Sequence, residues 1–368
     1  METSVVGRGA SVTSQQRGGY RPYLLLLTIV ALPCSLVLAT GIGPVRIPPG
    51  DVTAILLNHT GLFHFPIVWP ATSETIVWQF RLPIVVESAL VGSALALAGA
   101  LFQGLLRNPL ADPFLLGISS GASVGATVAY LLPAGLLIAT FAAVPIFAFC
   151  GSLVAILLVY WLARVGQRTP VVTLILSGVA ISALLGAVQT IIVTQNATVA
   201  QRLGSLYLWL AGNILFYPWQ FIGIVALLVL IGVVFGWLLA PVLDAFALGE
   251  DGAAYLGIRV ERMKIVTIAV AALLVAAAVT ISGLVGFVGL FIPHICRLLI
   301  GPRHRLLLPM ATVLGGIFVI WANVFATSFI AIVSQQESAA SLPLGVVTAL
   351  VGGPFFLWLL RRSTEMTS

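Results

Sequence analysis

Charge is what this 368-residue sequence has least of: Asp, Glu, Lys and Arg together make up 8% of it, and Lys264 is its only lysine. A soluble chain so poor in charge could not cover its surface with polar groups, which argues against a large water-soluble globule. A lone lysine in the context ERMKIV leaves no GxxxxGK[ST] loop to cradle phosphates, so the chain has no ATP-hydrolysing site of its own. HExxH and paired carboxylates within an apolar run are also missing, and no catalytic residue is assigned. Cysteine is scarce as well. Cys34, Cys150 and Cys296 stand far apart in apolar segments without CxxC spacing, so they read as buried small apolar residues and imply no metal. The four histidines do not cluster; His59 and His64, five residues apart in a loop, read as solvated side chains in preference to a metal pair.

What the chain does have is long apolar runs. Hydrophobic residues make up 60% and the mean hydropathy is +1.14. Runs of about 20 such residues are what a hydrocarbon layer about 30 Å thick requires. The fold class is therefore an all-α polytopic membrane protein. Ten spans are expected, at 23–40, 79–106, 113–132, 135–163, 170–194, 219–240, 263–281, 284–300, 306–333 and 343–360. The first is long enough to cross and reads as a retained helix in preference to a signal peptide. The segment 284–300 is short, glycine-rich and contains Pro293, so crossing and dipping both stay open. One transmembrane domain, 23–361, then lies between cytoplasmic tails at 1–22 and 362–368. It carries an outer loop at 43–75, with a short helix starting near Asp51, and a long inner loop at 243–262.

An even number of spans returns both termini to one side. With the N-terminus inside, 14 of the 17 basic residues face the cytoplasm, and only Arg46, Arg81 and Arg202 fall outside. The pI near 9.7 then follows from membrane insertion, and no nucleic acid is called for.

Small residues mark the packing. Gly117, Gly121, Gly125 and Ala129 recur every four residues after an Asp112–Pro113 helix start, which predicts one close-packing stripe. A second stripe, Gly92, Ala96, Ala100 and Gly104, is expected to meet it. Gly283, Gly286 and Gly289, spaced by three ahead of Pro293, predict a bent segment able to move.

Two functional classes stay open on the residues alone. A secondary transporter or channel would bury an ionisable group in a span, and only Glu87 qualifies; it otherwise reads as an outer-interface carboxylate within reach of water or an arginine. A transporter powered by another polypeptide needs a docking element instead. The inner loop LDAFALGEDGAAYLGIRVERMK predicts a short helix with Glu250 and Asp251 in its first turn and Gly257 at its stop. Its face is neither basic nor bulky enough for lipid, so docking on a soluble partner is expected.

Six blocks carry a resemblance. They are RLP at 81–83, GSALALAGALFQGLLRNPLADPFLLGISSGASVGA at 92–126, LGEDGAAYLG at 248–257, GLVGFVGLFIPHICRLL at 283–299, RHRLLLP at 303–309 and LPLGVVTALVGGPFF at 342–356. In this order the chain resembles the FecCD-type permeases of bacterial ABC importers, a group that includes vitamin B12, iron-siderophore and haem permeases. The resemblance implies the type II importer permease fold and a homodimer, a second copy completing a central translocation path. It also implies two cytoplasmic ABC ATPase subunits that hold ATP and Mg, with no cofactor in this chain. An extracytoplasmic substrate-binding protein and a place in the lipid bilayer of a bacterial inner membrane complete the set. The implied cargo is a metal chelate: a ferric siderophore, haem or a corrinoid.

Carried over by position, Leu248, Gly249, Glu250, Asp251, Ala254, Leu256 and Gly257 resemble the ATPase-coupling helix, and Asn108 and Leu110 the inner gate. Val171 and Val172 fall where the fifth helix narrows the exit; the family often has polar residues there, so this chain would close by excluding water. Ser177, Ser182 and Gln189 are the scattered polar groups of an otherwise apolar pathway. On the outer face RLPR has become RLPI, with Ile84 in place of a basic residue. Asn323, Thr327 and Ser341 replace the usual charged residues, so Arg81 alone is left for binding-protein docking.

Overall fold

The computed structural model describes residues 21–61, 63–132, 143–334 and 341–365. Residues 1–20 of the expected 1–22 tail, with Arg8 and Arg17, the start of the 135–163 span and residues 366–368 of the expected 362–368 tail lie outside the described residues. In chain order the helices are α1 (Arg21–Gly41), α2 (Pro49–His59), α3 (Ala71–Thr75), α4 (Leu82–Leu106), α5 (Ile118–Ala129), α6 (Ala143–Ala163), α7 (Val171–Gln195), α8 (Ala197–Gln201), α9 (Leu203–Leu210), α10 (Trp219–Leu238), α11 (Ala240–Phe246), α12 (Glu250–Tyr255), α13 (Val260–Ser282), α14 (Val288–Ile300), α15 (His304–Ser334) and α16 (Leu344–Glu365). A π-helical stretch, Ile76–Arg81, joins α3 to α4, and a 3-10 turn, Pro113–Leu116, precedes α5. Among the described residues no strand forms beyond the isolated bridge between Val165 and Arg168.

Among the described residues seven helical stretches are long and apolar enough to cross a membrane, at Tyr23–Gly41, Ala71–Leu106, Ala143–Ala163, Val171–Gln195, Trp219–Leu238, Val260–Ser282 and His304–Ser328. Three shorter apolar helices, Ile118–Ala129, Val288–Ile300 and Leu344–Leu359, fall where the other three spans were expected. The core centres on α4 and α13, the two most deeply buried helices, with α10, α14 and α15 around them. α1 and α7 lie at the periphery. Cys296 is buried as expected, whereas Cys34 and Cys150 are exposed on the outward faces of α1 and α6, where lipid makes a small apolar residue acceptable.

Lipid tails are as apolar as leucine, so hydrophobicity does little to bring membrane helices together, and close backbone approach has to supply the attraction. The glycines provide it in pairs. A Cβ on Gly92 would overlap the Gly315 carbonyl of α15, one on Gly99 the Gly289 carbonyl of α14, and one on Gly121 the Gly151 carbonyl of α6. The α4 stripe thus packs on α15, through Gly92 and Ala96 against Gly315 and Gly104 against His304, and not on the α5 stripe, which has its own partner in α6; Gly99 beside it meets α14. Gly117 is not part of that stripe either. The Asp112 carboxylate accepts the Phe114 backbone N–H at 2.7 Å and starts the 3-10 turn, and Gly117 at φ 78° ends it, so the helix begins at Ile118.

The bent segment is present. Gly283 (φ 62°) and Phe287 (φ 68°) bracket the break between α13 and α14, so the helix expected from 284 begins at Val288. Its glycines differ in surroundings: nothing lies within 4 Å of a Cβ at Gly286, whereas one at Gly289 would sit 2.8 Å from the Leu95 carbonyl oxygen. Gly289→Ala should therefore destabilise the detergent-purified protein by about 1–3 kcal/mol through overpacking, with Gly286→Ala near neutral. Thermal unfolding of the two variants checks this, and equal effects would contradict the α4–α14 crossing.

Candidate functional site: the two ends of the bundle

The inner end is built on Gln103, which sequence reasoning passed over. Pro293 lies inside α14 and has no N–H, so the Gly289 carbonyl four residues earlier loses its helical donor. Gln103 Nε2 supplies one across the helix crossing, donating to Gly289 O at 3.1 Å, Leu290 O at 3.2 Å and Ala111 O at 3.4 Å. Its other end, Oε1, accepts a short hydrogen bond from the Arg297 guanidinium. One buried amide therefore joins α4, α14, the loop after α4 and an arginine. The sequence signal was available: a lone amide in an apolar helix, one turn after Gly99.

α4 stops at Arg107, whose backbone is left-handed at φ 51°, and the chain then turns tightly. Asn108 N donates back to Gln103 O at 3.2 Å, and Asn108 Oδ1 accepts from Leu110 N at 2.9 Å. A cavity of about 540 Å³ opens here, lined among others by Gln103, Arg107, Asn108, Asp244, Arg297, Arg303 and His304. Asp244 Oδ1 is committed to His304, at 2.7 Å from Nδ1 and 3.0 Å from the backbone N. Of the expected gate residues, Asn108 lines this cavity, whereas Leu110, Val171 and Val172 do not. Val171 is half-buried on the core and Val172 is exposed, both in the first turn of α7 after Pro170.

α7 touches the rest of the chain along a narrow stripe of Leu174, Gly178 and Ile181. Gly178 sits on the 3-10 turn, where a Cβ would meet the Leu115 carbonyl oxygen at 2.5 Å. Ser182 and Gln189, seven residues apart, share a face, whereas Ser177, five residues before Ser182, does not. The three expected pathway residues therefore form no single polar track. Val172, Leu176, Val179, Leu184 and Ile191 leave much of α7 apolar and exposed.

The inner loop folds as α11 and α12. Glu250 and Asp251 occupy the first turn of α12, as expected, and Gly249 (φ 96°) and Gly257 (φ 81°) hold the left-handed positions at either end. The Ile258 N–H returns to Ala253 O at 3.1 Å and closes the C-terminus. Leu248, Tyr255 and Leu256 project from this loop, Tyr255 being 92% exposed. Tyr255 was not singled out from the sequence.

Beneath the loop lies Lys264, only 5% exposed. Its Nζ donates to Glu250 Oε2 at 2.7 Å, Glu261 Oε1 at 3.0 Å and Thr169 O at 3.1 Å. Glu261 Oε2 accepts the Thr169 N–H at 3.0 Å. The one lysine thus ties α12 to α13 and to Thr169, two residues before α7 begins. Three carbonyl or carboxylate partners suit an ammonium with three protons.

At the outer rim Arg81 closes onto its own chain. Nη1 donates to Thr40 O and Gly41 O, each at 3.3 Å, and Nη2 to Val45 O at 2.6 Å, which satisfies the end of α1. His59 hydrogen-bonds Glu74 at 3.0 Å and stacks on Trp78 with ring centroids 3.9 Å apart, so it is not half of a metal pair with His64. Among the described residues no group of three or more metal-ligating side chains forms. Glu87 is fully buried, away from the water expected beside it, and among the described residues no arginine pairs with it.

Helices of membrane-crossing length, glycine-level crossings and an exposed helical loop describe a multi-pass membrane protein. The chain belongs to the FecCD transport family, whose profile matches residues 27–362. It is 40% identical over 292 residues to the cobalamin import system permease BtuC of Halobacterium salinarum, covering 79% of this chain and 75% of that one. To the hemin transport system permease HmuU of Yersinia pestis it is 36% identical over 310 residues, covering 83% and 90%. A solved structure described as an inward-facing conformation of a metal-chelate type ABC transporter superposes with a TM-score of 0.76 at 26% identity, covering 93% of this chain and 99% of the other.

Two outcomes test this geometry. Gln103→Leu removes the donor to three carbonyls and strands the Arg297 guanidinium, and should cost about 2–4 kcal/mol in thermal unfolding. Burial pushes the Asp112 carboxyl up to about 6, against the opposing hydrogen bond from Phe114 N–H. The folded state then holds this proton more tightly than the unfolded chain, so the contribution is fully present below the unfolded value and is lost as pH rises through about 6. Asp112→Asn keeps the cap oxygen and should flatten the fall in stability across that window.

Proposed function

We propose that this chain is the membrane subunit of an ATP-driven importer that moves a metal chelate, such as a ferric siderophore, haem or a corrinoid, across a bacterial inner membrane. The observation that carries the reading is the inner loop: an exposed helix, α12, held by buried Lys264 against the segment that starts α7. The relatives' names as B12 and haem permeases support the chelate class. In this reading both termini are cytoplasmic and ten helices cross the bilayer. Two ABC ATPase subunits bind ATP and Mg and receive α12 through Leu248, Tyr255 and Leu256, beside Gly249, Ala254, Gly257 and the acidic first turn of Glu250 and Asp251. The exposed apolar face of α7 suits a second copy of the chain, with the pathway between the two and Ser177, Ser182 and Gln189 near it. Asn108 and Leu110, with Val171 and Val172, form the inner gate.

Motion of α12 has a short route to that gate. Lys264 bonds Glu250 at one end and the Thr169 carbonyl at the other, and Thr169 is followed by Pro170 and Val171. Docking of the binding protein rests on shape more than charge, because Arg81 is largely occupied by its own chain's carbonyls.

The assembled complex in proteoliposomes tests the route. Lys264→Met should lower chelate uptake about tenfold while ATP hydrolysis continues, since a coupling contact carries about 1–3 kcal/mol. Parallel loss of hydrolysis and uptake would reduce Lys264 to a folding role. The ion-coupled alternative draws on Glu87, fully buried and without an ion-pair partner among the described residues. Glu87→Gln should leave ATP-driven uptake unchanged, and abolition of uptake with intact assembly would favour the alternative.

A further inference from the structure

A groove of about 430 Å³ runs along the outside of the bundle between α1, α10 and α15, near its inner end, walled by Leu25, Leu97, Val234 and Leu308. It is almost wholly apolar. At its end Trp237 and Arg305 line both this groove and a smaller adjoining pocket of about 270 Å³, which Asp244 also lines. Trp237 Nε1 donates to the Arg305 carbonyl at 3.4 Å, fixing the ring between the apolar groove and the charged pocket. Tryptophan is favoured at this boundary between hydrocarbon and headgroups.

The charges of the pocket are opposite but not paired with one another. Among the described residues Asp244 pairs with His304, through Oδ1, and no ion pair is formed by Arg305. Asp244 Oδ2 is left for another donor. A cation and a carboxylate held apart on one small pocket call for a ligand with an anion and a hydrogen-bond-donating cation a short distance apart, joined to a long apolar chain.

We propose that this site binds a phospholipid with a primary-amine headgroup, of phosphatidylethanolamine chemistry. The phosphate lies against Arg305, the ammonium donates to Asp244, and an acyl chain fills the groove. A choline headgroup has no N–H to give Asp244, and a glycerol headgroup has no cation. The site needs the helices to sit in a bilayer but does not depend on the importer reading, so it stands or falls separately.

The test uses the delipidated full chain in detergent. Phosphatidylethanolamine, phosphatidylcholine and phosphatidylglycerol with matched acyl chains are titrated, bound lipid being read by native mass spectrometry and thermal stability. The wild type should bind phosphatidylethanolamine about fivefold more tightly than either other lipid, the worth of about one charge contact. Asp244→Asn, which keeps an oxygen for His304, should erase the preference over phosphatidylcholine, and Arg305→Gln should weaken all three. Inorganic phosphate and free ethanolamine should give no stabilisation. Equal binding of the three lipids by the wild type, preference for phosphatidylglycerol, or an unchanged profile in Arg305→Gln would overturn the proposal. So would protection of an Arg305→Cys thiol by self-association of the chain without lipid.

Discussion

A proline cannot donate a backbone hydrogen bond, and α14 carries one where the chain crosses closest to its central helix. Away from water an unmet carbonyl costs free energy, so something must replace the missing N–H of Pro293. Gln103 does so, and it reaches Gly289 O only because Gly99 and Gly289 let the two backbones nearly touch. The same amide holds Ala111 O and receives Arg297. The turn after α4, the capped 3-10 turn from Pro113, and the seat of α7 at Gly178 are all built outward from this contact. The glycines are thus the condition for the polar knot, and the knot fixes the inner mouth.

Elsewhere the few charges serve a similar purpose. Arg81 and Arg202, two of the three basic residues expected outside, donate to backbone carbonyls: Arg81 to the end of α1 and the loop beyond it, Arg202 to Tyr130 O at 3.1 Å and Leu132 O at 3.0 Å after α5. Lys264 closes Thr169 O on the inner side. Helices leave carbonyls unsatisfied at their ends, and a guanidinium or ammonium can meet two or three at once. In a chain with so little charge, most of what is buried or half-buried therefore holds loops. That limits how much docking on the outer face can draw on arginine, and it makes the junction of α12, α13 and Thr169 the inner counterpart of the outer staples.

Much of this was legible in the sequence because membrane helices follow simple rules. Apolar length located the helices, and Glu250, Asp251 and Gly257 marked α12 through helix-end preferences. Gly283 and Gly286 announced the break before Val288. What could not be read was which helix meets which. The stripe of Gly92 and Gly104 says that a backbone comes close but not whose, so its partner in α15 was mistaken for α5. Gly117 was counted as helical because four-residue spacing cannot show a left-handed φ. Gln103 and the bond from Lys264 to Thr169 depend on contacts across long sequence separations, such as Gln103 to Gly289, that no local pattern encodes.

In the proposed mechanism ATP used by separate subunits, acting through α12, drives a chelate through this permease. The most direct measurement co-purifies the chain with its native partners and follows ATP hydrolysis and uptake in liposomes as ferric siderophore, haem and corrinoid are offered in turn. An ATPase is expected to co-purify, one chelate to stimulate its hydrolysis, and the same chelate to accumulate only when ATP is present. Accumulation driven by an ion gradient in the absence of nucleotide, with no ATPase bound, would contradict it.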